Sequence, residues 1–169
     1  ELYTKHYSRF SINEKRNMMY WLLSYCRERE DTEGSRYERI IFELNKFRLK
    51  EGLVYYPEKQ IPKGNYRNIF SSALTVGETK WAENFIKEYT PKLKKELQIP
   101  VSSLAYASLY FDLGKYDKVL DSVNKVVYTD SGDKIMVKML IAKTYYQMGE
   151  MESLMHHIDS FLHFVNNNQ

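Results

Sequence analysis

Apolar residues recur along this chain at the three- and four-residue spacing of an amphipathic helix. The clearest example is the stretch 104–121, in which Ala107, Tyr110 and Phe111 share one apolar face. Gly114 then ends this helix, and a second amphipathic stretch begins directly after it. The pattern predicts two helices joined by a tight turn.

The same pattern, followed along the whole chain, predicts about eight helices. The turn glycines Gly77, Gly114 and Gly149 are 37 and 35 residues apart, a period typical of stacked helical hairpins. A single hairpin cannot bury its apolar face, whereas a hairpin stacked on a neighbour can. We therefore expect an all-α fold in which residues 1–169 form one domain of about four hairpins, at about 11–52, 65–98, 102–128 and 133–166.

Local signals place several helix ends. Ser11, followed three residues later by Glu14, forms a capping box that predicts the start of the first helix. Pro91 predicts that the fourth helix kinks or ends near Tyr89, because a proline removes a hydrogen bond from the helical ladder. The serine pair at 102–103 is the predicted cap of the fifth helix.

Apolar stripes predict which side of the first two helices is buried. The stripe of the first helix consists of Met18, Met19, Leu22, Leu23 and Cys26. The stripe of the second helix consists of Tyr37, Ile40, Ile41, Leu44 and Phe47.

Composition agrees with a folded, helical chain. Aromatic residues make up 15% of the sequence, which is too many for a disordered chain. The 7 glycines and 4 prolines provide little turn material for an all-β fold.

Charge and cysteine content narrow the class of partner and the compartment. The formal net charge of +3, with basic and acidic residues interleaved, lacks the concentrated basic patch of a nucleic-acid-binding protein. No apolar run approaches the roughly 20 residues of a membrane span, so we expect neither nucleic acid nor a membrane as partner.

Cys26 is the single cysteine and favours a reducing compartment, for which we predict the cytoplasm. Because the chain begins at Glu1 rather than at a methionine, we expect a piece of a longer protein.

The stretch 104–126 resembles the tetratricopeptide repeat (TPR), a helix–turn–helix unit of 34 residues. Ala107 and Tyr110 match the small and aromatic positions of its first helix, and 113–117 resembles its turn. Ala142, Tyr145, Gly149, Met151 and Leu154 fall on the corresponding positions of the next repeat. The C-terminal stretch AKTYYQMGEMESLMHHIDSFLHF is also similar to a stretch of TPR-like proteins from Bacteroidota-type bacteria, a likeness that implies no activity.

The resemblance implies a right-handed α-α superhelix and a concave groove. In the TPR family the first helix of each hairpin lines this groove, which holds an extended peptide or a partner helix. In the register set by the glycines, the groove-facing positions of this chain are Arg67, Asn68, Ser71, Thr75, Leu104, Ser108, Phe111, Asp112, Met139, Lys143, Tyr146 and Gln147.

Other candidate chemistry is less well supported by the sequence. His156, Asp159 and His163 are spaced so that they could share a helix face, but a zinc site needs three or four close ligands with supporting partners. Cys26 has arginines beside it, which could lower a thiol pKa, yet it continues an apolar stripe and is better explained as a buried structural residue. Glu150 and Glu152 begin a helix, where the dipole favours carboxylates. No glycine-rich phosphate loop and no hydrolase motif is present, so we predict no catalytic residue, no metal and no cofactor.

These observations favour a non-enzymatic helical scaffold that binds a protein or a peptide. A regulatory or sensor segment of a larger multidomain protein, such as a transcription regulator, is the alternative, and neighbouring motifs in the full-length protein would distinguish the two. A helical enzyme is a third class and would require a metal or a cofactor. The sequence leaves the identity of the partner and the oligomeric state open.

Overall fold

The computed structural model describes residues 7–33, 35–56, 59–128 and 130–166. All regular structure in these ranges is helical, which confirms the all-α prediction. No helix among these residues is long and apolar enough to cross a membrane. Short 3-10 helices lie at Tyr7–Arg9 and Thr90–Lys92, and the α-helices are α1 (Ile12–Glu33), α2 (Ser35–Lys50), α3 (Lys63–Thr75), α4 (Thr79–Tyr89), α5 (Lys95–Asp112), α6 (Tyr116–Val123), α7 (Ser131–Met148) and α8 (Met151–Asn166).

Backbone contacts divide the chain into two compact units, Glu1–Glu78 and Thr79–Gln169. The first unit contains α1 to α3, and the second contains α4 to α8. The predicted hairpin 65–98 therefore has its two helices in different units.

In the first unit, α2 packs against both α1 and α3. The predicted capping box is present at the start of α1. The Ser11 N–H donates to Glu14 Oε2 at 2.7 Å, and the Glu14 N–H donates to Ser11 Oγ at 3.3 Å. The apolar core of this unit includes Met19, Leu23, Cys26, Ile41, Phe42, Val54, Ile61, Tyr66, Ile69 and Phe70.

The buried face of α2 differs from the prediction. Ile40 is exposed, whereas Phe42, Asn45 and Leu49 are buried together with Ile41. The physical reason is that α2 packs against helices on two sides. Its buried face is therefore wider than the apolar stripe predicted from the sequence, and it is centred on a different side of the helix. Leu22 on α1 is likewise exposed, contrary to the prediction.

In the second unit, each helix packs against the next one, and α5 also contacts α7. The buried cluster that joins α5, α6 and α7 comprises Leu104, Ala107, Val119, Val123, Val126 and Val137. Tyr110 and Phe111 are partly buried against this cluster. The predicted packing role of Ala107 and Tyr110 is thereby confirmed.

α5 begins seven residues before its predicted serine cap. It starts at Lys95 and contains Pro100 as a buried residue of its second turn. A proline at this position removes one hydrogen bond to the carbonyl four residues earlier, so the sequence suggests a break. The burial of Pro100 and Val101 in the unit offsets that loss. Pro91, in contrast, acts as predicted, since α4 ends at Tyr89 and gives way to a 3-10 turn.

The turn after α5 has the geometry that its glycine predicts. Gly114 has φ +66°, a left-handed conformation that side chains other than glycine rarely adopt. The Gly114 N–H donates to the Phe111 carbonyl at 2.9 Å, and the Lys115 N–H donates to the Tyr110 carbonyl at 2.8 Å. This pair of bonds is a Schellman motif, which satisfies the last carbonyls of the helix.

Candidate functional site

The predicted groove residues lie on three helices. α3 carries Arg67, Asn68, Ser71 and Thr75 and belongs to the first unit. α5 and α7 carry the others and are in contact within the second unit. These two helices carry the predicted residues Ser108, Phe111, Asp112, Lys143, Tyr146 and Gln147, together with Leu104 and Met139.

On α3, the predicted residues mark an exposed polar face. Asn68, Ser71 and Thr75 recur at steps of three and four residues and are all exposed, whereas Arg67 is half-buried. The Thr75 hydroxyl donates to the Ser71 carbonyl at 3.1 Å, so this hydroxyl is engaged within its own helix. The exposed groups that this face offers to a partner are the amide of Asn68 and the hydroxyl of Ser71. Two small polar groups form a weak recognition surface.

The face of α7 that was predicted to line the groove is rich in exposed apolar side chains. Met139 is 47% exposed and Tyr146 is 65% exposed, and the exposed Lys143 lies between them. Met136, which the sequence analysis did not single out, extends the same face by one turn and is 40% exposed. Its position three residues before Met139 was the signal that could have identified it.

The opposite face of α7 explains why these residues point outward. Val137 and Thr144 are buried, and the Thr144 hydroxyl donates to the Leu140 carbonyl at 2.7 Å within the helix. Leu140 and Ile141 pack against the cluster that α5 and α6 share. Because this side of α7 is held in the core, the side chains at 136, 139, 143 and 146 are left on the surface.

Asp112 and Lys143 link the ends of α5 and α7 electrostatically. Partial burial raises the pKa of the Asp112 carboxyl, and the ammonium group of Lys143 opposes that rise. The two side chains are therefore close enough for their charges to interact. Opposite charges thus lie next to the exposed apolar face of α7.

The remaining groove positions on α5 contribute less exposed surface. The half-buried Ser108 donates its hydroxyl to the Leu104 carbonyl at 3.0 Å. Phe111 packs against the core cluster and lies 5.7 Å from the Tyr116 ring. Leu104 is only 4% exposed and belongs to the core, so the prediction that it faces a groove is wrong. Its side chain belongs instead to the buried cluster with Ala107, Val119 and Val123.

The alternative chemical sites find little support in the described residues. Cys26 is buried among Leu23 and Ile41, as predicted. Burial also raises the pKa of its thiol, which disfavours the thiolate that a nucleophile needs. His156 and His163 are exposed on α8. The part of the chain that the structure describes contains no group of three His, Cys, Asp or Glu side chains that could hold a metal ion.

Comparisons of this chain with protein-family models, with curated proteins and with solved structures return no match. The resemblance to TPR proteins thus stays a prediction based on residues 104–126 and on the matching positions of the following hairpin.

Proposed function

We propose that this chain is a binding module, in which the exposed face of α7 and the adjacent end of α5 bind a segment of another protein. The observation that carries this proposal is the exposure of Met139 and Tyr146 on one face of a helix whose other face is fixed in the core. Such binding requires neither a metal nor a cofactor.

The types of residue on this face suit a protein partner. Tyrosine and methionine are enriched in protein–protein interfaces relative to the rest of the surface. Tyrosine also contributes disproportionately to binding energy, because it buries a large rigid area at low entropic cost. Methionine adapts its shape to the partner. Tyr146 is therefore the expected main anchor, with Met136 and Met139 as its apolar extension.

The charged residues at one end of this face can orient a bound partner. Asp112 can accept hydrogen bonds from backbone N–H groups or a basic side chain, and Lys143 can donate to carbonyls or an acidic side chain. Because Asp112 is negative and Lys143 is positive, the two residues favour a partner that places a positive group beside Asp112 and a negative group beside Lys143. They would therefore select one orientation of a bound peptide.

The TPR resemblance supports the same surface independently. α5 and α7 are the first helices of the predicted hairpins 102–128 and 133–166, and in TPR proteins these first helices line the groove. Arg67, Asn68, Ser71 and Thr75 were predicted for the same groove, but they lie in the other unit. The proposal is therefore confined to the second unit.

A position-specific crosslinking experiment tests the proposal. The photoreactive residue p-benzoylphenylalanine replaces either Tyr146 or, as the matched control, Asp121, an exposed residue of α6. After irradiation in the native cells, we expect a discrete crosslinked protein from position 146 and none of that species from position 121. Identical products from both positions, or none from position 146, would contradict the proposal.

A further inference from the structure

The first unit contains a cavity of about 550 Å³ that none of the predicted sites includes. The residues that line it come from α1, α2, α3 and the loop after α2, and they are Asn13, Arg16, Asn17, Tyr20, Arg48, Leu53, Tyr56 and Asn65. The volume is within the range of pockets that hold small molecules. Unlike most such pockets, this one is lined largely by polar side chains, three of them asparagines and two of them arginines.

Arg16 is held in place by neutral oxygen atoms. Its Nε–H donates to the Leu53 carbonyl at 3.2 Å, one terminal nitrogen donates to the Tyr55 carbonyl, and the other donates to Asn13 Oδ1 at 3.4 Å. A guanidinium group has five N–H donors, and these three bonds leave donors available for a ligand. The loop carbonyls therefore fix the orientation of Arg16 without neutralising its charge.

Arg48, on α2, is likewise held by neutral oxygen atoms. Its terminal nitrogens donate to Asn45 Oδ1 at 3.0 Å and to Asn65 Oδ1 at 3.3 Å. Asn45 is itself buried and donates to Ser72 Oγ at 3.0 Å. The half-buried guanidinium of Arg48 is thus pre-organised by a chain of amides and a hydroxyl that extends into the core.

The described residues provide no carboxylate beside the two positive charges of the cavity. No Asp or Glu is among the described residues that line it. Burial lowers the pKa of Arg48, and the nearby positive charge of Arg27 lowers it further. The half-buried Arg48 cation, whose terminal nitrogens donate to neutral oxygens and which has the positive charge of Arg27 nearby, is incompletely compensated. An anion in the cavity would supply the missing charge and form charge-assisted hydrogen bonds.

Tyr20 and Tyr56 form the outer part of the cavity and are exposed. Their rings offer flat apolar surfaces beside the charged interior. We propose that this cavity binds a small organic anion, with its carboxylate or phosphate group beside Arg16 and Arg48 and its apolar part against Tyr20 and Tyr56. This binding site lies in the first unit and is independent of the proposed protein-binding face of α7.

A purely structural role for the arginines is the competing explanation. Arg16 joins α1 to the loop at residues 53–55, and Arg48 joins α2 to α3. Structural arginines of this kind would show no preference between a charged and a neutral ligand. The test therefore compares anions with a neutral molecule of the same shape.

The experiment is a nuclear magnetic resonance titration of the isotopically labelled full chain, in which the side-chain amides of Asn17 and Asn65 are followed. The probes are phenyl phosphate, benzoate and the neutral benzamide. We expect at least one anion to give saturable shifts, with affinity at least about tenfold higher than that of benzamide. The preferred anion then distinguishes a phosphate from a carboxylate ligand. Equal binding of benzamide, or no saturation with either anion, would overturn the proposal.

A pair of isosteric variants shows whether the binding occurs in this cavity. Asn17→Asp places a carboxylate beside the arginines, and because Asn17 is exposed, the fold should tolerate the change. We expect this variant to weaken anion binding at least about tenfold, since the new carboxylate competes for the same guanidinium groups. The matched control is Asn84→Asp, which changes the charge equally at an exposed position of α4 and should leave the affinity unchanged. Equal affinities of the two variants would place the bound anion elsewhere and overturn the assignment.

Discussion

Lys143 on α7 opposes the rise in the pKa of Asp112 that partial burial at the end of α5 causes. This relationship joins the first helices of two predicted hairpins, which are 31 residues apart at these positions. The effect of Lys143 on the pKa of Asp112 therefore indicates whether α5 and α7 lie side by side. The proposed binding face depends on that arrangement.

Removal of the lysine charge should raise the pKa of Asp112 further. We expect Lys143→Met to shift the Asp112 carboxyl titration to higher pH, because the ionised form loses its favourable neighbour while burial continues to oppose it. Carboxyl carbon chemical shifts, measured as a function of pH, report this value directly. Lys134→Met is the control, since it removes the same charge from the same helix about 14 Å away along the axis. An unchanged Asp112 titration in the Lys143 variant would contradict the packing of α5 beside α7.

The buried hydrogen bond between Asn45 and Ser72 should stabilise the first unit. Ser72→Ala removes the acceptor of the Asn45 Nδ2–H, and the donor is then left buried without its partner. We expect a loss of about 1–3 kcal/mol in the free energy of unfolding, measured by urea denaturation. The neighbouring Ser71→Ala, at an exposed position, should change this free energy by less than about 0.5 kcal/mol. Equal effects of the two variants would argue against the buried bond.

Two glycines should respond in opposite ways to replacement by alanine. At Gly114, φ is +66° and the added Cβ would meet no atom within 4 Å, so the cost comes from the backbone conformation alone. We expect Gly114→Ala to destabilise the protein by about 1–2 kcal/mol. Gly64 lies in the first turn of α3, and its added Cβ is also unobstructed. Gly64→Ala should therefore stabilise the protein by about 0.4–1 kcal/mol. Thermal denaturation of both variants checks the signs, and a destabilised Gly64 variant would contradict the helical conformation there.

Cys26 should make stability depend on pH in the alkaline range. Burial raises its pKa above the unperturbed value of 9.0, so the folded state favours the neutral thiol. The resulting stability is fully present below about pH 9 and is lost as the pH rises through the folded-state pKa. Urea denaturation of the wild type and of Cys26→Ala should show a constant difference at neutral pH that shrinks in alkaline solution. A difference that is independent of pH would mean that the thiol is not shielded.

The sequence predicted those helix ends whose signals are local. The Ser11–Glu14 capping box, the stop at Gly114 and the end of α4 before Pro91 each depend on a few neighbouring residues, and all three were confirmed. The start of α5 was mispredicted, because the burial that stabilises a helix across Pro100 comes from other helices. The exposure of Ile40 was missed for the same reason.

The candidate sites were predictable to different degrees. Repeat register placed Lys143 and Tyr146 on the exposed face of α7, although it also assigned the buried Leu104 to a groove. The cavity in the first unit has no sequence signature, since Arg16, Arg48 and Asn65 belong to three helices. Only the packing of α2 against both of its neighbours brings these side chains to one place.

The central claim, that the exposed face of α7 binds a protein, is tested most directly by one dissociation constant. It is measured by calorimetry between this chain and the purified protein that crosslinks at position 146, for the wild type, for Tyr146→Ala and for the control Tyr128→Ala, which truncates another exposed tyrosine of the same unit. The account predicts that Tyr146→Ala weakens binding at least about tenfold, or about 1.4 kcal/mol, while Tyr128→Ala leaves it nearly unchanged. Equal affinity of the wild type and Tyr146→Ala would contradict the claim.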